Sequence, residues 1–307
     1  MITVAGFNTS IDKRIDIHAF SVGEVNRADA VHATAGGKGL HVAQTAAALG
    51  EDVHLVGLID AAHRTQVETH MRERAVTFHA VETPSIRNCL AVREQDGRMT
   101  ELIEPGPALG AETRELLLQK FTELALRSDL AVISGSLPAG FTPDTYARLT
   151  RHVQAKGIRC LVDASDEVLR HVIEARPFMV KPNRDEARTL SGMAIDSIEA
   201  AVEFVHRLAN LGIAMPVLSL GSKGAVSADR DTALHAHVEL ERAVNPVGSG
   251  DCLMAGIAVA LARGHSPIEA LQLGVACGAA NAAALETGYA TAAGVHLLSP
   301  QVRCRRI

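Results

Sequence analysis

The stretch of the chain richest in chemistry is Asn245-Pro246-Val247-Gly248-Ser249-Gly250-Asp251, which runs into the apolar segment Cys252–Ala262. Its two glycines let backbone approach a ligand closely and turn successive N–H groups toward one point. A helix starting there adds partial positive charge. Gly248, Ser249 and Gly250 therefore read as an anion site, suited to the charge that develops on a transferring phosphoryl group. Asp251 has two readings. It is either an ordinary first-turn acid favoured by the helix dipole, or a carboxylate beside the phosphoryl path that accepts a hydroxyl proton as general base.

A second glycine-rich turn, Ala35-Gly36-Gly37-Lys38-Gly39, leads into the helical pattern Leu40–Leu49, with Gly50 as its C-cap. It is not a P-loop, because His32 stands at the first glycine position and Gly39 at the Ser/Thr position. Nor does a G-x-G-x-x-G fingerprint follow the first strand. The turn either serves only to connect strand to helix, or offers bare backbone to sugar hydroxyls or a phosphate, with Lys38 adding charge. Gly221-Ser222-Lys223-Gly224 reads as a hairpin, purely structural or a wall for nucleotide phosphates. Gly278-Ala279-Ala280-Asn281-Ala282 lies on a small-residue helix that either packs closely on a neighbour or leaves a flat surface for an adenine ring. The fourteen histidines show no H-E-x-x-H or H-x-x-x-H spacing, so catalytic zinc is not expected, and the lack of a G-x-S-x-G elbow disfavours acyl transfer.

The elements that must position these groups alternate regularly. Strands are expected at Val53–Ile59, Leu130–Ser134, Cys160–Asp163, Phe178–Lys181 and Pro216–Leu220. Helices are expected at 39–49, 64–74, 112–125, 143–155, 167–174, 185–190, 198–208, 251–262 and 267–285. Continuous apolar strands alternating with helices predict a parallel sheet covered on both faces. Two segments break the rule: Arg14–Phe20 with Val25–Thr34, and Arg87–Glu104 with a turn at Asp96-Gly97. Their polar–apolar alternation fits either an antiparallel extension of the main sheet or a small separate β-lid over a cleft. Ligands in such sheets collect beyond the carboxyl ends of the strands. There the sequence places Asn8 and Asp12, Ser134-Gly135-Ser136, Asp163, Lys181 with Asn183 and Glu186, and Ser219 with Gly221.

Composition narrows the possibilities further. The 307 residues are 47% apolar and 21% charged, with a net charge of −5, which gives no electrostatic case for nucleic acid as a partner. No apolar run reaches the ~18–20 residues of a membrane span. With two tyrosines, seven phenylalanines and no tryptophan, base stacking has little material. Five scattered cysteines without a C-x-x-C pair argue for a reducing compartment. Met1–Gly6 opens as a strand with no signal-peptide pattern, so a cytoplasmic location is expected. The basic end, Arg303-Cys304-Arg305-Arg306, reads as a solvated tail.

Gly36-Gly37-Lys38-Gly39-Leu40-His41-Val42-Ala43 and Val247-Gly248-Ser249-Gly250-Asp251 together resemble the two signatures of the PfkB (ribokinase-like) carbohydrate kinases. Gly23-Glu24-Val25-Asn26-Arg27, Pro105-Gly106-Pro107, Ser134-Gly135-Ser136-Leu137-Pro138, Lys181-Pro182-Asn183-x-x-Glu186 and the Ala-Asn segment at Asn281 follow in family order. The similarity spans the chain and is greatest to the phosphosugar branch (1-phosphofructokinase, tagatose-6-phosphate kinase and the minor 6-phosphofructokinase).

The resemblance implies a three-layer α/β ribokinase-like fold over residues 1–307, with a mostly parallel central sheet. It also implies a small β-sheet lid formed by residues of about 13–35 and 86–104, with homodimers through the lid. ATP would be the donor and Mg²⁺ the metal. Asp251 matches the catalytic base, and Gly248, Ser249 and Gly250 the anion hole. Asp12, Gly37, Lys38, His41 and Ser136 match sugar-site positions, and Arg27 and Arg87 the places where a substrate phosphate is met, a task suited to guanidinium. Asn183 and Glu186 match the motif that organises magnesium through water. Lys181, Asn183, Ser219, Gly221, Gly224 and Asn281 align with the nucleotide site.

One departure stands out: His41 replaces the usual asparagine, a position that hydrogen-bonds sugar hydroxyls, which points toward an unusual sugar. The expected activity is phosphorylation of a hexose phosphate (fructose 1-phosphate, tagatose 6-phosphate or fructose 6-phosphate) to a bisphosphate. The alternatives are a kinase of an unphosphorylated sugar or nucleoside, and a non-catalytic nucleotide- or sugar-binding regulator.

Overall fold

The structure, a computed structural model, describes residues 1–307. In chain order the strands are β1 Ile2–Gly6, β2 Ser10–Ile17, β3 Ala30–Gly36, β4 Val53–Ile59, β5 Val76–Glu82, β6 Arg87–Glu94, β7 Met99–Ile103, β8 Leu130–Ser134, β9 Arg159–Asp163, β10 Met179–Val180, β11 Met215–Ser219, β12 Ala225–Ala228, β13 Ala233–His237 and β14 Arg303–Arg306. The helices are α1 Lys38–Ala48, α2 Arg64–Glu73, α3 Ala111–Ala125, α4 Thr145–Gln154, α5 Asp166–Glu174, α6 Arg184–Ser191, α7 Ile198–Asn210, α8 Ser249–Ala262, α9 Pro267–Ala282 and α10 Ala292–Leu298.

Ten strands form one sheet in the order β14-β13-β12-β11-β10-β9-β8-β1-β4-β5. Pairing is parallel from β5 across to β11 and antiparallel from β11 to β14. The central strands β1 and β8 are buried throughout, as continuous apolar runs sandwiched between helical layers must be. Helices α1, α8 and α9 pack together on one face, and α3, α4 and α7 cover the other. Phe7, just beyond β1, anchors the second layer against Phe121, Phe141 and Tyr146. Helix α8 is buried along nearly its whole length, so truncating one of its large apolar side chains would cost about 2–5 kcal/mol.

From β1 the parallel strands are added first toward β4 and β5 and then on the other side from β8 to β11, and a crevice opens beyond the carboxyl ends of strands at such a switch in strand order. Asn8 Nδ2 spans it, donating to Ser136 Oγ at 2.9 Å.

The two exceptional segments form a separate four-stranded sheet, β3-β2-β6-β7, rather than an extension of the main one. Its hairpin β6–β7 turns at Asp96-Gly97 as expected. β2 starts at Ser10, four residues earlier than the alternation indicated. By register, Val31 and Leu102 share one face of this sheet, while Asp12 and Cys89 share the other.

One expectation is corrected. Arg303–Arg306 is not a free tail: it pairs with β13 as β14, and its charged side chains protect a sheet edge from further pairing. Strands β5 and β13 and helix α10 lie outside the expected elements, and β12 is foreseen only as the second arm of the Gly221–Gly224 hairpin. β12 and β13 are short, and the apolar run of Val76–Glu82 is interrupted by Thr77 and His79.

Candidate active site

A cleft of about 1380 Å³ lies between the small sheet and the carboxyl ends of the main strands. Its walls include Asp12, Gly37, Lys38, His41, Arg87, Ser136, Lys181, Asn183, Glu186, Ser219, Gly221, Gly224, Gly248, Ser249, Gly250 and Asp251. Residues separated by up to 239 positions thus converge, and they do so because both glycine turns sit at helix starts facing the same crevice.

Gly248 is the N-cap of α8, with φ 81°. Asp251 and Cys252 N–H groups bond back to Gly248 O, whereas the N–H groups of Gly248 and Gly250 find no acceptor within the chain. They are donors left for an anion at a helix N-terminus. Lys181 Nζ sits beside Gly250, at 3.4 Å from where a Cβ would stand. Asp251, 5% exposed, is the acid of this first turn.

Asp251 is held from the opposite side by His41. His41 Nδ1 lies 2.8 Å from Asp251 Oδ2, and its Nε2 lies 3.0 Å from Asp12 Oδ2. Ser10 Oγ donates to Asp12 Oδ1 at 2.6 Å. Burial pushes the His41 imidazolium toward deprotonation, but the hydrogen bonds and charges of Asp12 and Asp251 outweigh it and hold the group at about 10. Asp12 is itself held below the usual carboxylate range, its burial outweighed by His41 and by the Ser10 and Gly37 hydrogen bonds.

The glycines next to these groups leave no room for side chains. A Cβ on Gly36 would collide with the Asp12 carboxylate, and one on Gly288 with the His41 ring.

Further along the cleft, buried Asp163 accepts two cations. Lys181 Nζ lies 3.2 Å from its Oδ2, and Lys38 Nζ 3.7 Å from its Oδ1. Burial alone would raise the Asp163 carboxyl, but Lys181 and Lys38 bring it down. The Lys38 side chain keeps 42% of its surface open to the cleft, so its pairing is the more screened of the two.

Asn183 caps α6, accepting from Asp185 and Glu186 N–H, and Glu186 Oε2 accepts from Asn183 N–H in return. This capping box occupies one oxygen of Glu186, a residue that lines the cleft, and Oε1 has no hydrogen-bond partner within the chain. Arg87, at the start of β6, donates from Nη1 to Glu104 O at 3.2 Å and faces Ser136 Oγ at 3.5 Å. Gly221 and Gly224 flank the turn between antiparallel β11 and β12, the expected hairpin, and Ser219 ends β11.

Two expected site residues lie elsewhere. Arg27 is on the exposed loop between β2 and β3, outside the cleft walls. Asn281 is fully buried behind the anion site rather than on the nucleotide wall. Its Nδ2 donates to Val247 O and Ser249 Oγ, and its Oδ1 accepts from Tyr289 N–H. Its neighbours Gly278, Ala279 and Ala282 do line the cleft. Sequence reasoning places Asp163 at a ligand-collecting strand end without assigning it a task, and gives Glu101 and Gly288 no place in the site. Asp163 carried a signal, a lone acid at the carboxyl end of an apolar strand, but Glu101 and Gly288 acquire meaning only through tertiary packing.

A doubly wound sheet whose crevice holds a carboxylate beside free helix N–H groups has the construction of an alcohol phosphotransferase. Residues 6–292 match the model of the pfkB family carbohydrate kinases, and the chain belongs to that family. It is an ATP-dependent carbohydrate kinase.

Among solved structures, it is similar to a Staphylococcus aureus protein provisionally assigned as a phosphofructokinase (28% identity, 100% of this chain and 99% of that one, TM-score 0.83). It is also similar to phosphofructokinase-2 from Escherichia coli in complex with potassium (25% identity, 97% and 98% covered, TM-score 0.87). A Thermotoga maritima protein provisionally assigned as a 1-phosphofructokinase shares the fold at 20% identity (100% and 99% covered, TM-score 0.89). No helix of the chain is long and apolar enough to cross a membrane.

Proposed function

We propose that this kinase phosphorylates a hydroxyl of a hexose phosphate, giving a bisphosphate, with Asp251 as general base. The observation that carries the reading is the convergence of Asp251, the free N–H groups of Gly248 and Gly250, and Asp12 on one cleft that also presents the cations Lys38 and Arg87.

In this account Asp12 and the Gly37 backbone orient the sugar. Asp251 takes the hydroxyl proton as the oxygen attacks the terminal phosphoryl group of ATP. The amides of Gly248 and Gly250, with Lys181 beside them, face the charge that spreads over the phosphoryl oxygens. Ser219, Gly221 and Gly224 wall the nucleotide. Gly278, Ala279 and Ala282 offer the flat surface for its base, and Asn281 holds the anion loop from behind.

The Asn183–Glu186 pair fits a hydrated Mg²⁺, since the capping box leaves one Glu186 oxygen free, and burial and the Asp163 charge push that carboxyl up more than the Asn183 N–H, Lys38 and Lys181 bring it down. Bound there, the ion would neutralise phosphate charge. We read residues 1–307 as one kinase unit with lid segments of about 13–35 and 86–104, whose closure excludes water from the reaction. Exposed Val31 (57%) and Leu102 (55%) on the lid face opposite Asp12 support a homodimer through the lid. Five free thiols fit a reducing, cytoplasmic setting.

A second reading, a kinase of an unphosphorylated sugar, is favoured by one observation: Arg27 stands outside the cleft, leaving Arg87 and Lys38 to meet a substrate phosphate. ADP release measured with fructose 1-phosphate, fructose 6-phosphate and tagatose 6-phosphate against fructose and tagatose decides between the two. Higher kcat/KM on a phosphosugar is expected. Preference for a free sugar would replace the first reading with the second.

A further inference from the structure

His41 occupies a position where neither ring nitrogen is free. Nδ1 faces Asp251 Oδ2 at 2.8 Å, and Nε2 faces Asp12 Oδ2 at 3.0 Å. Each gap needs a proton, because an unprotonated ring nitrogen facing a carboxylate oxygen would set two lone pairs against each other. With both carboxylates ionised, as a base at Asp251 requires, the two gaps are filled by an imidazolium, and the three groups together carry one negative charge instead of two.

The ring is seated by construction. It is 5% exposed, lies against Gly288, where any side chain would collide with it, and has Gly248 close to its Nδ1 edge. Asp12 is fixed on its far side by Ser10 Oγ. An asparagine at this position can donate to one carboxylate, but its short side chain cannot span both.

The charged groups around the ring do not replace the bridge. Lys38, from the same helix, points to Asp163. His70 of α2 is turned to Gln44 Oε1, and burial holds it neutral, at about 4. Glu101 comes from β7 on the lid side of the cleft. Glu286 is paired with Arg74.

We propose that His41 is a positioning residue that, as an imidazolium, ties the sugar-site carboxylate Asp12 to the base Asp251, so that seating the sugar and aiming the base become one event. This rests on the reading of Asp251 as base. With Oδ2 committed to His41, Asp251 offers Oδ1 to the sugar hydroxyl. The O–H bond breaks toward Oδ1, the hydroxyl oxygen bonds phosphorus, the bond from phosphorus to the ADP oxygen breaks, and Asp251 later releases the proton to water.

Two measurements on the full-length protein test the bridge. In histidine-¹⁵N-labelled protein, the His41 resonances, assigned by their loss in His41→Asn, should show both ring nitrogens protonated at pH 8. One unprotonated ring nitrogen at that pH overturns the proposal. Kinetically, folded His41→Asn and His41→Gln should lose about tenfold to a hundredfold in kcat. The acid limb of their kcat–pH profile should move to higher pH once the positive charge beside the base is gone. An unmoved pH profile with full activity per folded molecule would mean that His41 only packs, which also overturns it. Failure of the wild type to release ADP with any sugar would instead sink the base reading, while the nitrogen spectrum still decides the bridge.

Discussion

His41 Nδ1 and Asp251 Oδ2 lie 2.8 Å apart across 210 residues of sequence, joining the two glycine-rich turns into one charged unit. The contact exists because α1 and α8 pack side by side on the same face of the sheet. It also ties stability to pH. His41 in the folded state is held at about 10, above its ordinary 6.5, so its contribution is fully present below about pH 6.5 and is lost as pH rises through 10. Urea midpoints of the wild type should therefore fall relative to those of His41→Asn between pH 6.5 and 10. Parallel curves over that window would contradict a charged His41.

Gly288→Ala tests the same seat from its other wall. The added methyl meets the imidazole, and the residue holds φ +65°, a region that disfavours any side chain. A stability loss of about 1–3 kcal/mol by urea denaturation is expected. kcat should fall further than in a variant of equal stability made far from the cleft.

Asp163 and Lys181 form the most deeply buried ion pair of the cleft, at 3.2 Å. Asp163→Asn strands a buried ammonium and should cost about 3–5 kcal/mol in urea unfolding. Adding Lys181→Met should recover much of that loss, since no unpaired charge remains. A single-variant cost below about 1 kcal/mol would show the pair to be solvated.

Arg87 tests the substrate class. If its guanidinium meets a sugar phosphate, Arg87→Ala should raise KM for the phosphosugar by about tenfold to a hundredfold, the worth of a charge-assisted hydrogen bond, while KM for ATP stays put. An unchanged sugar KM would favour an unphosphorylated substrate.

Much of the scaffold was legible in the sequence. Val53–Ile59 and Leu130–Ser134 are strands at the expected bounds, because uninterrupted apolar runs have few other fates in an α/β chain. The glycine turns at Gly36-Gly37 and Gly248–Gly250 do open helices onto one crevice. What escaped depended on partners remote in sequence. Arg303–Arg306 is too polar to read as a strand and becomes one only through its backbone pairing with β13. Asn281 looked like a ligand residue, but its amide is consumed by the loop it supports. His41 was recognisable as a departure, yet its bridge needed the coordinates of Asp12 and Asp251 together.

The most direct test of the kinase account is single-turnover phosphoryl transfer by Asp251→Asn with a saturating accepted sugar, alongside its ATP dissociation constant. Loss of the base should slow transfer by about 10²–10⁴-fold, with ATP binding within a few-fold of wild type. Transfer at a near wild-type rate would contradict the assignment of Asp251 and the account built on it.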